Sequence, residues 1–120
     1  MPEPRHFKRS EMSFQLTDVD GAHTTICRAI NASASSTLGA GIETLENTRI
    51  EWTVTYDEVL FIHKGRITIR SADKVFDCEP GDIVWLPNGT SLVYDAPERC
   101  VYFYALYPVD WAARQGTVEP

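Results

Sequence analysis

Hydrophobic and polar residues follow a strand-like pattern in the run WTVTYDEVLFIHKG, residues 52–65. In an extended strand, the even-numbered side chains of this run point to one side, and Val59, Phe61 and His63 point to the other. Both sides of a strand over residues 58–63 are then largely apolar. The pattern therefore predicts a strand that is buried on both faces.

Two further runs continue this β-like pattern. The run RITIR, residues 66–70, alternates isoleucine with polar residues, which predicts a hairpin partner with one solvated face. The run GDIVWLPNGTSL, residues 81–92, contains a short β-branched and aromatic strand over residues 83–86. Gly81 can adopt turn conformations that are closed to other residues, and the Pro-Asn-Gly triplet at 87–89 predicts a second turn.

The remaining β-branched and aromatic runs predict more strands, with no helical period between them. A Ser-, Ala- and Gly-rich stretch at residues 31–42 predicts a loop that can border a ligand site. Turn signals separate the strands at spacings of ~8–12 residues, which is typical of an antiparallel sandwich or barrel. The additional strands are expected at residues 12–16, 23–30, 48–56, 74–78, 92–94 and 100–107, with one more near Ile42.

The composition describes one globular domain with an acidic surface. The chain has 120 residues, of which 43% are hydrophobic, and a net charge of -6. This length suits a single domain, and the negative charge argues against a nucleic-acid partner. No apolar run is long enough for a membrane span, and the N-terminus lacks the apolar core of a secretory signal. We therefore expect a cytoplasmic protein that binds neither membranes nor nucleic acids.

The spacing of glycine, proline and glutamate in these runs resembles the two motifs of the cupin superfamily. Those motifs read G-x5-H-x-H-x3-4-E-x6-G and G-x5-P-x-G-x2-H-x3-N. Glu58 and Gly65 match E-x6-G in the first motif, while Gly81, Pro87 and Gly89 match G-x5-P-x-G in the second. The resemblance implies an all-β fold in a single domain, the cupin jelly-roll barrel or double-stranded β-helix.

The histidines of both cupin motifs are missing from this chain. Counting back from Glu58 places Trp52 and Val54, or the residue before each of them in the longer spacing, where the paired histidines stand in cupins. In the second motif, Leu92 takes the position of the third histidine and Ala96 that of the asparagine. One carboxylate among apolar residues cannot replace the usual ligand set of a transition metal. We therefore predict no metal in the usual place and no other cofactor.

The residues WTVTYDEVL and GDIVWLPNGT, with the aromatic strand that ends before YPVDW, are similar to the ethanolamine-utilisation Q (EutQ) branch of cupins. The similarity covers residues 38–111. It implies a link to two-carbon metabolism and suggests ATP:acetate phosphotransfer, although the chain contains no G-x-x-x-x-G-K-[ST] phosphate loop. The expected organisation is an N-terminal arm at 1–11 that contacts a second protomer, a cupin barrel at 12–111 and a C-terminal tail at 112–120.

In the cupin comparison, side chains inside the barrel contact the ligand. A lone carboxylate in such surroundings is desolvated, which raises its pKa toward neutrality and suits Glu58 to act as a general acid or base. The alternative is a structural carboxylate held by a tyrosine hydroxyl or a backbone N–H group. The other interior positions are Trp52, Val54, Leu92 and one face of the last strand, either Tyr102 with Tyr104 or Phe103 with Tyr107.

The turn before Glu58 supplies two more candidates at the cavity rim. Tyr56 can orient a ligand oxygen, and we take it with Glu58 as the catalytic pair. Asp57 can pair with a cationic ligand, or it can accept backbone N–H groups in the turn, which is the favoured role. From the last strand, Tyr102 and Tyr104 are taken as the ligand-binding pair.

Two classes of function fit these residues. The first is a metal-independent enzyme of the acetate-kinase or the isomerase and lyase type, which uses Glu58 and a tyrosine on a small polar substrate. The second is a non-catalytic protein that binds a small polar or carboxylate metabolite, or assembles through its outer surface, and loss of the histidines favours it. The apolar outer positions Val59, Phe61 and His63 must be covered, which predicts a homodimer.

Overall fold

The computed structural model describes residues 3–16 and 24–114 as an antiparallel β-structure, which confirms the all-β prediction. Within these residues, eight strands form a single hydrogen-bonded sheet. They are β1 (Gln15–Leu16), β2 (Thr24–Ile30), β3 (Gly39–Thr53), β4 (Asp57–Lys64), β5 (Ile67–Ser71), β6 (Lys74–Cys78), β7 (Ile83–Leu86) and β8 (Ser91–Tyr107). A 3-10 helix covers Arg9–Glu11, and a short α-helix, α1, covers Trp111–Arg114.

The two longest strands, β3 and β8, pair along their whole lengths and form the centre of the sheet. The pairing runs from Gly39 opposite Leu106 to Thr53 opposite Ser91. A register shift interrupts it around Asn47, which adopts a left-handed backbone conformation with φ 46°. Because this bulge absorbs the irregularity, each long strand joins two runs that the sequence predicted as separate strands.

The hairpin predicted between the runs at 58–63 and 66–70 is wrong. Strand β4 pairs with β7 and β8, whereas β5 pairs with β6 and β8, so β4 and β5 follow one another along the same edge of β8. Gly65 lies between them with φ +77°, and a Cβ atom at this position would lie 1.9 Å from the carbonyl oxygen of Arg99. The chain therefore passes close to β8 at a point that only glycine can occupy.

Burial on β4 alternates strictly with residue number. Leu60 and Ile62 are fully buried, whereas Phe61 between them is 42% exposed. The prediction that both faces of this strand are buried is therefore wrong for the single chain, because no other element of the described residues covers the outer face. On β5, Ile67 and Ile69 are buried and their polar neighbours are solvated, as predicted.

After β8 the chain turns back onto the barrel and places α1 against the core. The backbone N–H of Val109 donates to the carbonyl of Thr37 at 2.9 Å, and Trp111 is buried in the hydrophobic core. The first residue of the predicted strand at 23–30 and most of the predicted tail at 112–120 lie outside the described residues.

Candidate functional site

The barrel contains a partly open cavity of about 80 Å³ whose lining is rich in aromatic and acidic side chains. A water-sized group needs roughly 10–15 Å³ of such volume, so the cavity has room for a ligand of a few non-hydrogen atoms. Strands β2, β3, β4 and β8 contribute to its walls together with α1. The polar and aromatic lining residues are Arg28, Asn31, Glu43, Trp52, Tyr56, Glu58, Tyr94, Tyr102, Tyr104 and Trp111.

Glu58 lies on the inward face of β4, and only 6% of its surface is exposed. The Tyr94 hydroxyl donates a long hydrogen bond of 3.4 Å to its Oε1 atom. Burial, reinforced by the negative charge of Glu43, raises the pKa of Glu58 to about 8, while the hydrogen bond from Tyr94 acts in the opposite direction. Glu58 is therefore protonated at neutral pH. A raised pKa and a tyrosine contact, which the sequence suggested as alternatives, occur together.

A second carboxylate, Glu43 on β3, faces the same cavity and was not predicted. Its partner across the β3–β8 ladder, Tyr102, donates a hydrogen bond to its Oε1 atom. Burial raises the pKa of Glu43, and the bond from Tyr102 and the positive charge of Arg28 partly offset this effect. Glu58 is therefore not a lone carboxylate. The cavity holds two acids, and the negative charge of Glu43 makes ionisation of Glu58 less favourable.

The bulge between β3 and β8 explains why the sequence pattern did not reveal Glu43. Before the bulge the inward positions of β3 are odd-numbered, and Gly41 and Leu45 are buried on either side of Glu43. After the bulge the inward positions are even-numbered, beginning at Thr48. A pattern extended backward from Trp52 therefore assigns Glu43 to the outside. The available signal was an acidic residue between buried positions in the run GAGIETL.

An aromatic cluster forms one wall of the cavity. The indole N–H of Trp52 donates to the Tyr56 hydroxyl at 3.0 Å. The ring of Trp111, which sequence reasoning did not place in the site, lies 4.8 Å from the Tyr56 ring and 6.2 Å from the Trp52 ring, centroid to centroid. Burial, with the charge of Glu58, raises the pKa of Tyr56, so its hydroxyl stays neutral. Tyr56 is buried in this cluster and not at the rim where it was expected.

The last strand presents one aromatic face to the cavity and the other to the outside. Tyr102 and Tyr104 are buried and line the cavity, whereas Phe103 and Tyr107 are exposed on the opposite face of β8. The structure thus selects one of the two alternatives that the sequence left open. Since burial raises the pKa of Tyr102, with the charge of Glu43 as the next cause, its hydroxyl is a hydrogen-bond donor at neutral pH.

Three of the predicted ligand-binding residues lie away from the cavity. Val54 and Leu92 are buried in the hydrophobic core, where packed side chains fill the barrel. Asp57 is exposed, and its carboxylate accepts the backbone N–H of Asn88 at 2.9 Å, which is the turn role favoured from the sequence. We therefore remove these three residues from the proposed set of ligand contacts.

Comparison with known protein families identifies the family of this chain. The profile of the family described as ethanolamine utilisation protein EutQ matches residues 10–113. The chain belongs to the EutQ family. The match covers every residue that lines the cavity, so the acid pair and the aromatic wall lie within the EutQ domain. The resemblance seen in the two sequence motifs is confirmed.

Curated relatives in this family are longer than the present chain. A protein of Clostridioides difficile (strain 630) named acetate kinase EutQ is 28% identical over 80 residues, which is 67% of this chain and 51% of that protein. Two proteins of the same name, from Salmonella typhimurium and Escherichia coli, are matched over 33% and 35% of their length. The chain thus spans about half or less of the length of these EutQ relatives.

Solved structures show that the EutQ domain has the cupin fold. The structure of the Clostridium difficile EutQ protein superposes with a TM-score of 0.74 at 23% identity, covering 82% of this chain and 72% of that chain. A sugar phosphate isomerase of Silicibacter pomeroyi, which is a member of the cupin superfamily, superposes with a TM-score of 0.70 at 13% identity, covering 86% of this chain and 75% of that chain. The predicted cupin barrel is confirmed. Within residues 3–16 and 24–114, no helix has the length and apolar character needed to cross a membrane.

Proposed function

We propose that this EutQ-family chain binds a small polar metabolite in its cavity, without a transition metal, in ethanolamine or related small-molecule catabolism. The observation that carries the proposal is the pair Glu43 and Glu58 inside an aromatic-lined cavity. Desolvated acids with raised pKa values inside a concave apolar site are typical of ligand-binding and catalytic centres. The cavity volume restricts the ligand to a small molecule.

The side chains at the positions of the cupin metal ligands support the metal-free part of this proposal. With the shorter motif spacing, Trp52, Val54 and Leu92 stand where cupin motifs carry histidine, and none of them offers a donor that a divalent metal prefers. In the part of the chain that the structure describes, no group of three or more His, Cys, Asp or Glu residues is placed to hold a metal ion.

A thermal-shift screen tests the proposal. Acetate, ethanolamine, ATP and small sugars are added to the wild type, to Glu58→Gln and to the matched control Glu51→Gln, which changes an exposed glutamate of β3. A ligand at about 100 times its Kd stabilises the folded state by about 2.7 kcal/mol, which raises the Tm by several degrees. We expect such a shift in the wild type and in the control, and its loss in Glu58→Gln.

Two results decide against this proposal. If none of the compounds shifts the wild-type Tm, the cavity is not a binding site for this class of ligand. If elemental analysis of the same untagged preparation finds one equivalent of a transition metal per chain, the metal-free part is wrong.

A metal-independent enzyme is the second candidate, and the protonated state of Glu58 favours it. A carboxylic acid whose pKa is near neutrality suits general acid–base catalysis, and the neutral hydroxyl of Tyr56 can donate a hydrogen bond to a substrate. For relatives named acetate kinase, the corresponding reaction is phosphoryl transfer between ATP and acetate. Production of ADP that requires acetate and disappears in Glu58→Gln supports this candidate, whereas binding without turnover supports the first.

We also propose that the chain forms a homodimer through the outer face of β4, β7 and β8. Phe61 on β4 pairs with Ile83 on one side and with Phe103 on the other, which makes a continuous apolar row across three strands. These side chains are 42%, 71% and 43% exposed, and Trp85 is exposed beside them. Contiguous apolar patches of this kind mark interaction sites, and a second copy of the same face can cover them around a two-fold axis.

Introducing a charge into this row is expected to separate the dimer. Sedimentation at micromolar concentration should show a dimer for the wild type and a monomer for Phe61→Asp, since the aspartate must be desolvated in the interface. Leu38→Asp is the matched control, because Leu38 is 57% exposed but lies in the loop before β3. A wild type that sediments only as a monomer contradicts the proposal.

A further inference from the structure

The cavity of this EutQ chain holds two acidic side chains against one basic side chain, Arg28, and is aromatic along one wall. Both features favour a cation. We propose that the cavity selects a small organic ammonium ion, with Glu58 and Glu43 as its charge partners and Trp52, Tyr56 and Trp111 as its apolar wall. The inference rests on the proposed function and names the ligand class for the same cavity.

The first argument is the charge around Glu58. The side chains that interact electrostatically with it are Glu43 on β3, Tyr94 and Tyr102 on β8, and Tyr56 before β4. In the described part of the chain, no basic residue is among the groups that shift the pKa of Glu58. Arg28 on β2 also lines the cavity, and its positive charge acts on Glu43. With Arg28 acting on Glu43, ionised Glu58 is a second negative charge in the cavity, which an ammonium ligand would balance and a carboxylate ligand would oppose.

The second argument is the nature of the wall. Trp52, Tyr56 and Trp111 line the cavity and hold one another in place through ring contacts and the indole–hydroxyl hydrogen bond. Aromatic rings attract organic cations through their quadrupoles, and desolvation strengthens this attraction to ≈ 2 kcal/mol or more. The aromatic wall and the acid pair therefore both favour a cation over an anion.

Binding of a cation has a defined proton balance. In the unliganded protein Glu58 is a carboxylic acid, so the O–H bond breaks when the ammonium ion binds, the proton goes to solvent, and the carboxylate pairs with the cation. Because the pKa of Glu58 is raised to about 8, affinity must rise with pH and level off above that value. Between pH 7 and pH 9 the affinity for the cation is expected to increase about tenfold.

Isothermal titration calorimetry with tetramethylammonium chloride tests the inference, because the charge of this ion does not depend on pH. Neutral tert-butanol has nearly the same size, ethanolamine adds a primary ammonium, and sodium acetate adds an anion. Titrations at pH 7 and pH 9, each in two buffers of different ionisation enthalpy, count the protons released. The variants are Glu58→Gln and the control Glu51→Gln.

We expect both cations to bind the wild type at least about tenfold more tightly than tert-butanol or acetate, since attraction to ionised Glu58 and to the aromatic rings adds at least this much to the free energy of binding. Close to one proton should be released at pH 7 and few at pH 9. Glu58→Gln should weaken cation binding about tenfold or more at pH 9 and remove the proton that Glu58 releases, while Glu51→Gln should change neither. Proton release by the wild type is a readout that needs no variant.

Three results overturn the inference. Acetate or a neutral compound that binds at least as tightly as the cations refutes cation selection and leaves the proposed function intact. Cation binding without proton release, unaffected by Glu58→Gln, places the ion elsewhere. If no compound binds, both this inference and the proposed function are wrong.

Discussion

Replacing Glu58 with glutamine is expected to stabilise the protein at alkaline pH. Burial, with the charge of Glu43, raises the pKa of this carboxyl from 4.5 to about 8. The folded state therefore keeps a proton that the unfolded chain releases, so the free energy of unfolding falls as pH rises from about 4.5 to about 8 and is constant above that. The pKa difference corresponds to a loss on the order of 4–5 kcal/mol in the wild type.

Urea denaturation at pH 5 and pH 9 measures this effect. At pH 5 the wild type and Glu58→Gln should differ by about 1 kcal/mol or less, whereas at pH 9 the variant should be more stable by several kcal/mol. If the free energy of unfolding of the variant still falls as pH rises, we assign the remaining decrease to Glu43, whose pKa is also raised. Glu51→Gln is the control and should follow the wild type. A variant that is less stable than the wild type at pH 9 would show that ionised Glu58 has a stabilising partner in the fold.

Substitution of Gly65 by alanine is expected to destabilise the barrel by roughly 3 kcal/mol or more. The left-handed backbone at φ +77° costs a non-glycine residue about 1–2 kcal/mol. In addition, the new Cβ would lie 1.9 Å from the carbonyl oxygen of Arg99, so β4 or β8 must move. Strain from overpacking of this kind typically costs about 1–3 kcal/mol. Both effects act at the junction between β4 and β5, which pair one after the other with the same edge of β8.

Gly81→Ala separates the two contributions. Gly81 also has a positive φ, +96°, but an added Cβ there meets no atom within 4 Å. Its substitution should therefore lower the free energy of unfolding only by the cost of the left-handed backbone, about 1–2 kcal/mol. Equal losses of unfolding free energy for the two variants would mean that the close approach at Gly65 does not limit the fold.

Much of the fold was predictable because the turn residues of the two motifs are fixed by backbone geometry. Gly81 and Gly89 both adopt positive φ, as turns of this type require, and β7 lies between them. The partner of each strand was less predictable. The sequence around Gly65 is compatible with a hairpin, and only the distant strand β8 determines that β4 and β5 share its edge.

The site was predictable only in part, because alternation identifies inward positions on regular strands alone. The cupin comparison placed Glu58 inside the barrel, and alternation offered Tyr102 with Tyr104 as one face of β8. Alternation missed Glu43, since the inward positions of β3 change from odd to even at the bulge between β3 and β8. It also missed Trp111, which reaches the cavity through a turn and a helix that have no strand period.

The protonation state of Glu58 in a metal-free cavity is the claim on which this account of the site depends. Carbon NMR of protein labelled at the glutamate carboxyl groups measures it directly across a pH titration. We expect a resonance that titrates near pH 8 in the wild type and is absent from Glu58→Gln. If every glutamate resonance of the wild type instead titrates below about pH 6, as in solvent-exposed glutamates, Glu58 is ionised at neutral pH and the account is contradicted.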